Sequence, residues 1–445
     1  MSQAAFSEWK RKSLHVAMGG FALLLRVITW PQAMALAGGA LIFNLVVLPR
    51  VARGVYRPGD PRYAHGIVFY PLAVLFLLVC FPRRPDLVAA GWGILAAGDG
   101  LASIAGRAVP IARLPWNRDK SLGGLLAFVI FGGAAAVGLA IWTAPAVTPA
   151  PTLTFLIVAP LAAAVVAGLV ETLAVGLDDN LRVPAAAAFV LGSATIVDAE
   201  RAQALIASAS PWMAPIVANA IVAVAGYAAR TVTVPGALTG FLIGVVTWMG
   251  AGWQGWALLL AAFAVTVGTT RLGGRRKALL GIAEERGGRR GPGNALANTG
   301  LAAWAAALAV LSPYREAALV AFVAAVIAGS SDTVSSEVGK AYGRRTWLVT
   351  SLRRVPPGTS GAVSSEGTAA GAAAALLLAA IAASLRIIAP SLILPVAVAA
   401  VVAALVESVL GSTFEDRGIL DNDLLNFITT FTAAALALAA WRMLA

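Results

Sequence analysis

Long apolar runs recur from one end of this chain to the other, and they constrain its fold more than any other feature. Each run covers roughly 17–25 residues, the length that an α-helix needs to cross the hydrocarbon core of a bilayer. The runs lie near residues 14–30, 32–49, 66–82, 87–106, 121–142, 153–175, 183–197, 212–230, 235–250, 253–270, 293–312, 316–335, 361–384, 391–410 and 424–442. Backbone polar groups inside a bilayer must be paired within their own segment, which favours helices. The pattern predicts an all-α polytopic integral membrane protein with about fifteen transmembrane helices.

The residue composition excludes a water-soluble protein. Of the 445 residues, 59% are hydrophobic and 12% are charged, whereas soluble domains carry about 25% charged residues. We attribute the net charge of +12 to basic loops that face the cytoplasm, and we expect no nucleic-acid partner. With one cysteine, Cys80, and two histidines, the chain cannot build a metal site from Cys or His alone.

The basic residues lie in alternate loops. They cluster at Lys10–Lys12, Arg50–Arg62 and Arg107–Lys120, and in the second half at 271–290 and 340–354. Two spans separate each cluster from the next within a half, and the loops between them carry almost no charge, with Arg83 and Arg84 as the exception. The positive-inside rule places these clusters on the cytoplasmic face. Because Arg outnumbers Lys and Ala is abundant, as in proteins from GC-rich bacterial genomes, we expect a bacterial inner-membrane protein. The basic clusters indicate that its sites face the cytoplasm.

Several polar motifs of the first half recur in the second half. Gly98-Asp99-Gly100, with Ser103 and Gly106, matches Ser331-Asp332-Thr333 with Ser336 and Gly339; Lys120-Ser121-Leu-Gly123-Gly124 resembles Thr359-Ser360-Gly361 and Glu366-Gly367; Val170-Glu171 matches Val406-Glu407; Asp178-Asp179-Asn180-Leu181 matches Asp421-Asn422-Asp423-Leu424. The offset is 233 residues between Asp99 and Asp332 and 242 between Asn180 and Asn422, a drift that loop insertions would produce. We predict two parallel seven-helix repeats, 1–200 and 234–445, joined by a linker span within 201–233.

Four of the recurring residues are acids inside or at the edge of apolar spans: Asp99, Glu171, Asp332 and Glu407. An acid in a bilayer costs about 2.5–3.5 kcal/mol on insertion scales, so it requires a partner. Hydrogen bonding between helices is one explanation. Recurrence in register favours the other, Mg²⁺ ligation beside substrate phosphates, since hard cations bind carboxylate oxygens.

The residues around these acids suit an anionic ligand. Gly98, Gly100, Ser103 and Gly106 allow close backbone approach, and Lys120-Ser121 with Gly123 opens a helix whose N–H groups can bind phosphate. No lysine occupies the matching place in the second half. There we expect Arg353, Arg354 and the Gly358–Gly361 turn to supply charge and amides. The Arg275–Lys277 and Arg289–Arg290 clusters lie within range of a more anionic acceptor.

The first 200 residues resemble the phytol kinase and dolichol kinase family of CTP-dependent polyprenol kinases. The matching features are Arg11-Lys12-x-x-His15, Gly98-Asp99-x-x-Ala102-x-x-x-Gly106, Lys120-Ser121-x-Gly123-Gly124, and Val170-Glu171 followed by Asp178-Asp179-Asn180-Leu181-x-x-Pro184. Residues from about 212 onward resemble the phytyl-phosphate kinase family. Its features here are Arg289-Arg290-Gly291-Pro292-Gly293, Asn294-Ala-Leu-Ala-Asn298, Ser331-Asp332-Thr333-x-Ser335-Ser336-Glu337-x-Gly339, and Val355-Pro356-Pro357-Gly358-Thr359-Ser360-Gly361, completed by Glu407 and Asp421-Asn422-Asp423.

The two resemblances imply a bifunctional membrane kinase. Its first half would phosphorylate an isoprenoid alcohol, of the phytol or geranylgeraniol type, with CTP and Mg²⁺. Its second half would convert the monophosphate to the diphosphate with CTP or another nucleoside triphosphate, as in salvage of tocopherol and quinone precursors.

The predicted site residues follow from the motifs together with this resemblance. The catalytic set is Asp99, Lys120, Asp179, Asp332, Ser360 and Asp421. The metal ligands are Asp99, Glu171, Asp332, Glu337 and Glu407. The nucleotide-binding set is Gly98, Gly100, Ser103, Gly106, Ser121, Gly123, Asn180, Arg289, Arg290, Arg354, Gly358, Thr359, Gly361 and Asn422. His15 is expected either to orient a substrate or to anchor a local hydrogen bond.

Two other functions remain open at this point. A phosphatidate cytidylyltransferase also pairs an Asp with a Lys-Thr-x-Glu-Gly-like string, but it carries a downstream histidine motif, and this chain has no His after His65. A lipid or isoprenoid transporter also has repeats with intramembrane acids. It would place them at the bilayer midplane, whereas these acids lie near cytoplasmic ends.

Overall fold

The computed structural model describes residues 12–51, 61–108, 111–174, 176–208, 212–282, 288–415 and 417–444. Arg11, part of the expected N-terminal motif, lies outside the described residues. The chain forms two compact units, Met1–Ile196 and Val197–Ala445.

The first unit is built from helices and one short hairpin. Residues 12–18 are helical and continue into a 3₁₀ helix, Gly19–Arg26. The elements that follow are α1 (Trp30–Val51), α2 (Pro61–Cys80), α3 (Pro85–Ala108), β1 (Arg113–Leu114), β2 (Asn117–Ser121), α4 (Leu122–Ala146), α5 (Leu153–Glu171) and α6 (Asp179–Ala194).

The second unit follows a similar plan. Its elements are α7 (Ala199–Ala207), α8 (Met213–Ala228), α9 (Val234–Arg271), α10 (Gly274–Leu279), α11 (Pro292–Leu311), α12 (Arg315–Tyr342), β3 (Thr346–Leu348), β4 (Ala362–Ser364), α13 (Ser365–Ser384), α14 (Pro390–Glu415) and α15 (Asn422–Leu444). The expected linker span lies in this unit, where α8 packs against α9. The domain limits and the parallel repeat stay predictions.

The all-α polytopic fold is confirmed, and the protein is an integral membrane protein. Ten described helices are long and apolar enough to cross a membrane, or eleven if α6 and α7, bent by 86°, form one span. A helix also lies in each of the fifteen apolar windows. Two apolar helices are too short to be counted: the Gly66–Cys80 part of α2, and α8. In addition, α9 is one helix broken at Gly252 (φ +73°), where we expected two separate spans.

The Asp99 and Asp332 helices are the most buried of the candidate spans. In both α3 and α12, 72% of the most apolar stretch is buried, against at most 39% elsewhere. Alanine dominates the buried core, while many large apolar side chains face outward. Small residues allow close packing of membrane helices, and outward Leu, Val and Phe suit contact with lipid. Asp99 and Asp332 therefore each lie on the helix at the centre of their unit.

A short hairpin and a serine N-cap follow the central helix in both units. Ser121 caps α4 and accepts a hydrogen bond from Gly124 N at 3.1 Å; Ser364 caps α13 and accepts one from Gly367 N at 3.1 Å. A Cβ on Gly106 would lie 3.2 Å from Ser121 Oγ, and one on Gly339 would lie 3.1 Å from Ser364 Oγ. By this geometry Ser121 corresponds to Ser364, so the place of Lys120 is taken by Val363.

Candidate functional site

In the first unit, Asp99 lies at the meeting point of α3 and the N-terminal helix. The carboxylate is 6% exposed, and Lys12 Nζ lies 3.0 Å from both of its oxygens. His15 Nε2 lies 3.4 Å from Asp99 Oδ2 and 3.1 Å from the Leu95 carbonyl. Lys12 and His15 are one helical turn apart, so both reach the same carboxylate.

A second cluster forms around Lys120 at the end of β2. Its ammonium forms an ion pair with Glu171 at the end of α5 and lies 3.8 Å from Asp179 Oδ2 at the start of α6. Arg182 holds Asp179 through a second ion pair and donates to the Leu173 carbonyl at 2.7 Å. Burial lowers the pKa of Lys120, but the charges of Glu171 and Asp179 outweigh it and raise that pKa above its ordinary value. Lys120 is therefore charged at neutral pH.

The two clusters bring three predicted acids together. Carboxylate oxygens of Asp99, Glu171 and Asp179 all lie within 4.8 Å of one another. Carboxylate oxygens are the ligands that Mg²⁺ prefers, usually completed by water and phosphate. The donor set therefore fits a hard divalent cation. Lys12 and Lys120 add positive charge on either side of it.

The glycines of the Asp99 motif serve helix packing. A Cβ on Gly98 would lie 2.9 Å from the Phe128 ring, and one on Gly100 would lie 2.4 Å from Val16 Cγ2. Both were expected to bind nucleotide, as was Gly106, which packs on the Ser121 cap. Their size is explained by these contacts, since any larger residue would force the helices apart.

The remaining predicted residues of the first unit lie around the same site. Ser103 Oγ contacts the Asp99 carbonyl at 3.4 Å, and Gly123 is buried in the first turn of α4. Asp178 caps α6 and accepts from Asn180 N and Nδ2 at 2.9 and 2.8 Å. Asn180 Oδ1 is buried without a hydrogen-bond partner.

In the second unit, Asp332 and Glu407 form a pair of acids in direct contact. Their side chains are hydrogen-bonded to each other, and Thr429 donates to Glu407 Oε2 at 2.6 Å. Two carboxyl groups in contact share a proton, or else a cation lies between the two carboxylates. Among the described residues, a cluster of three acids is found in the first unit alone.

The Gly358–Gly361 turn packs against the end of α14, the helix that carries Glu407. Ser360 Oγ donates to Glu415, and Thr359 Oγ1 donates to the Pro356 carbonyl at 2.8 Å. Gly361 has φ +68°, and a Cβ there would lie 2.3 Å from the Ser408 carbonyl. Gly358 has φ +88°. Both positions require glycine, and the turn is fixed beside the acid pair.

Glu337, predicted as a metal ligand, lies on a different face of α12 from Asp332, and its ligand role stays a prediction. Its carboxylate forms a buried ion pair with Lys277 of α10, at 2.5 Å, and lies 3.4 Å from Lys340. Both Glu337 and Lys277 side chains are 2% exposed. The reason is helical phase: Glu337 is five residues after Asp332, so it points about 140° away around α12.

Asp421, whose catalytic role stays a prediction, lies at the start of α15. Its Oδ1 accepts a hydrogen bond from Leu424 N at 2.8 Å, and Asn422 is the first residue of α15. Asp421 is thus a helix cap, like Asp178 in the first unit.

The predicted arginines lie in separate places. Arg354 is exposed and pairs with Trp347 through a backbone bridge. Arg289 is half-buried, and Arg290 Nη1 donates to Asn294 Oδ1 at 2.7 Å.

Four residues of these sites were missed as site residues by the sequence analysis: Lys12, Arg182, Lys277 and Thr429. Lys12 carried a signal, because it shares the motif with His15 three residues later. Arg182 is three residues from Asp179, with no motif to mark it. Lys277 and Thr429 have partners 60 and 22 residues away. Only folding identifies such partners.

Comparison with known proteins gives matches to integral membrane proteins. The family model described as integral membrane protein DUF92 matches residues 217–434. The uncharacterized membrane protein sll0875 of Synechocystis sp. is 39% identical over 236 residues, which cover 52% of this chain and 91% of that protein. Protein VTE6, chloroplastic, of Arabidopsis thaliana is 34% identical over 247 residues, 53% of this chain and 74% of that protein.

A more distant match is to a probable phytol kinase 2, chloroplastic, of Oryza sativa subsp. japonica, 30% identical over 204 residues. It covers 41% of this chain and 64% of that protein. No solved structure matches the chain. The extent and identity of the matches to sll0875 and VTE6, together with the family model, show that the chain belongs to the integral membrane protein DUF92 family.

Proposed function

We propose that this protein is an isoprenoid kinase with two phosphoryl-transfer sites, one in each unit. The first site would convert an isoprenoid alcohol to its monophosphate, and the second would convert that monophosphate to the diphosphate. CTP, or another nucleoside triphosphate, is the proposed donor. Relatives named as probable phytol kinases support the substrate class.

The observation that carries the proposal is the cluster of three acids beside a charged lysine. Phosphoryl transfer requires little covalent chemistry from a protein; it requires positioning and neutralisation of phosphate charge. Asp99, Glu171 and Asp179 offer oxygens within 4.8 Å, and Lys120 contacts two of these acids. The residues fit Mg²⁺, which when bound would neutralise the nucleotide phosphates.

In the first site, each side chain has a separate task. Asp99 and Glu171 would hold the cation, and Lys12 and Lys120 would bind phosphate oxygens. The alcohol oxygen attacks the γ-phosphorus, the bond to the β–γ bridging oxygen breaks, and the nucleoside diphosphate leaves. Asp179, 32% exposed and held by Arg182, would accept the alcohol proton.

In the second site, the contacts of Asp332 with Glu407 favour a shared cation in the same role. The turn at Gly358–Gly361 would present backbone N–H groups to phosphate from the side of α14. Because Val363 takes the place of Lys120, phosphate charge would be met by arginine and by backbone amides. The acceptor there is an anion already, which matches the basic segments 271–290 and 340–354.

The test is a lipid-phosphorylation assay with the full chain in detergent. The protein is incubated with geranylgeraniol or phytol, Mg²⁺ and γ-labelled CTP, and the labelled lipids are separated. We expect monophosphate and diphosphate from the wild type, neither from Asp99→Asn, and monophosphate alone from Asp332→Asn. Supplied monophosphate should restore diphosphate to Asp99→Asn but not to Asp332→Asn.

Other outcomes identify the alternatives. Label from α-labelled CTP in a lipid product would indicate a cytidylyltransferase. Absence of labelled lipid with every alcohol and nucleotide tested would contradict the kinase proposal and favour a transporter.

A further inference from the structure

The second unit contains an apolar cavity that the acid pair does not use. It lies between α8, α9, α11 and α12, and about 150 Å³ of it is accessible to the centre of a water molecule. Most of its walls are apolar, and the residues used below are Ala223 on α8, Gly240 on α9, and Gly329 and Thr333 on α12. The lining is that of a pocket for a ligand with a hydrocarbon part.

One end of the cavity is polar and lies at the height of Asp332 along α12. Asn294, Asn298, Arg290 and Thr333 all line it. A Cβ on Gly329 would lie 3.1 Å from Asn298 Oδ1, so Asn298 is level with Gly329. Since α11 and α12 are joined by a short turn and run antiparallel, Asn294 is level with Thr333, one turn further. Thr333 follows Asp332 directly, so this end of the cavity is level with the Asp332 carboxyl.

Two polar groups at this end define the ligand head. Arg290 donates to Asn294 Oδ1 at 2.7 Å and lies 3.5 Å from Thr270 Oγ1, and its guanidinium is the natural partner of a phosphate or carboxylate. Asn298 is 8% exposed, and its Oδ1 has no hydrogen-bond partner among the described residues. A buried acceptor left unpaired is unfavourable, so a ligand that brings a donor is favoured.

Few lipid heads satisfy both groups. A carboxylate brings charge without a donor, and an alcohol brings a donor without charge. A phosphomonoester brings both in its singly ionised form: its charge suits Arg290, and its P–OH group, which is mostly lost in free solution above about pH 6, is favoured in the site by the unpaired Asn298 Oδ1.

We propose that this cavity is the acceptor site of the second unit and that it binds a phosphomonoester carrying a single apolar tail. The tail lies between α8 and α9, and the head lies at Arg290 and Asn298. Arg290 is then the residue that selects the monophosphate over the alcohol. The inference rests on the proposed function for the identity of the tail, but the binding site itself does not depend on turnover.

The depth of the cavity sets how much of the tail it holds. The lining residues of α12 run from Val326 to Thr333, which is about 10 Å along a helix. A C20 isoprenyl chain is longer than this, so its distal part would leave past Gly240 into lipid. Gly240 is exposed, and a Cβ there meets no atom within 4 Å.

The experiment measures equilibrium binding of labelled geranylgeranyl monophosphate to the full chain in detergent, without nucleotide. Two variants add bulk to the lining on two different helices: Gly240→Leu on α9 and Ala223→Phe on α8. The matched control is Gly268→Leu, the same change on α9 at an exposed position where a Cβ also meets no atom. We expect both filling variants to weaken binding roughly tenfold or more and the control to bind as the wild type.

A second comparison tests the head. Arg290→Gln should weaken monophosphate binding by roughly 10- to 100-fold and leave the weaker binding of geranylgeraniol unchanged. Arg442→Gln, which removes an exposed charge in the last turn of α15, should change neither. Palmitate and phosphatidate are the competitors that represent bilayer lipids.

Each outcome has one meaning. Wild-type affinity in both filling variants, or no binding by the wild type, overturns the cavity assignment. Competition by palmitate or phosphatidate equal to that of unlabelled monophosphate overturns the head assignment in favour of a bilayer lipid. Binding that follows the expected pattern without any phosphoryl transfer would remove the proposed function and leave the site. Normal phosphoryl transfer, with wild-type binding of the monophosphate by both filling variants, would leave the proposed function and remove the cavity as the acceptor site.

Discussion

Lys120 illustrates what a single residue contributes to the first site. Its ammonium touches Glu171 and lies 3.8 Å from Asp179, so it links the ends of α5, α6 and β2. An ammonium fixed between carboxylates is positioned before any phosphate arrives, and this removes reorganisation from the reaction. The acids also keep the lysine charged, because they raise its pKa against the effect of burial.

Lys120→Gln should therefore impair the first phosphorylation while the protein remains folded. Loss of one fixed donor to a transition state lowers kcat by roughly 100- to 1000-fold. Arg118→Gln, on the exposed side of the same strand, is the control and should retain wild-type kcat. The measurement is monophosphate formation from geranylgeraniol at saturating CTP. Equal kcat in the two variants would remove Lys120 from the mechanism.

At the level of elements, the ion pair between Lys277 and Glu337 ties α10 to the central helix α12. Both side chains are 2% exposed. Removing one partner from a buried pair leaves a charge without compensation, whereas replacing both partners is often tolerated.

Lys277→Met should lower the thermal unfolding midpoint in detergent, with a cost of about 3–5 kcal/mol. The double variant Lys277→Met/Glu337→Leu should recover most of the loss. If Glu337 were a metal ligand, the double variant would instead lose diphosphate formation completely while remaining as stable as the wild type.

Helix packing at the break in α9 provides a second test at this scale. A Cβ on Gly250 would lie 1.8 Å from the Ala306 carbonyl, while one on Gly268 meets no atom within 4 Å. Gly250→Ala should lower the unfolding midpoint, since backbone would have to move. Gly268→Ala should leave it unchanged or raise it by the equivalent of up to about 1 kcal/mol. The same destabilisation in both variants would contradict the packing of α9 on α11.

For the whole molecule, the informative feature is that each site takes its described residues from one unit. The first site uses residues between Lys12 and Arg182, and the second, with its cavity, uses residues between Asn219 and Thr429. Neither site borrows a described side chain from the other unit.

A mixture of two inactive chains should consequently make diphosphate. Asp99→Asn supplies an intact second site and Asp332→Asn an intact first site, so released monophosphate can pass between molecules. In shared proteoliposomes the mixture should form diphosphate at a rate that increases with protein density. No diphosphate from the mixture, with each variant active in its own remaining step, would show that the intermediate is never released.

How much of the site the sequence predicted depended on spacing along the chain. Asp99, Lys120, Glu171 and Asp179 were all predicted from motifs that recur or resemble known ones, and the structure brings them together. Glu337 and Asp421 were assigned to chemistry because they stand in the same motifs, but one is in an ion pair and the other is a helix cap. A motif shows which residues are near in sequence, while helical phase decides where each side chain points.

The sequence by itself determined the membrane-spanning, all-helical character of the protein and the approximate position of every span. It could do so because a bilayer imposes one length and one polarity on each segment, whatever its neighbours. Only the tertiary structure decided that Lys277 neutralises Glu337, that Gly98 and Gly100 serve packing, and that an apolar cavity ends level with Asp332. These depend on contacts between segments 30 or more residues apart, which no local pattern encodes.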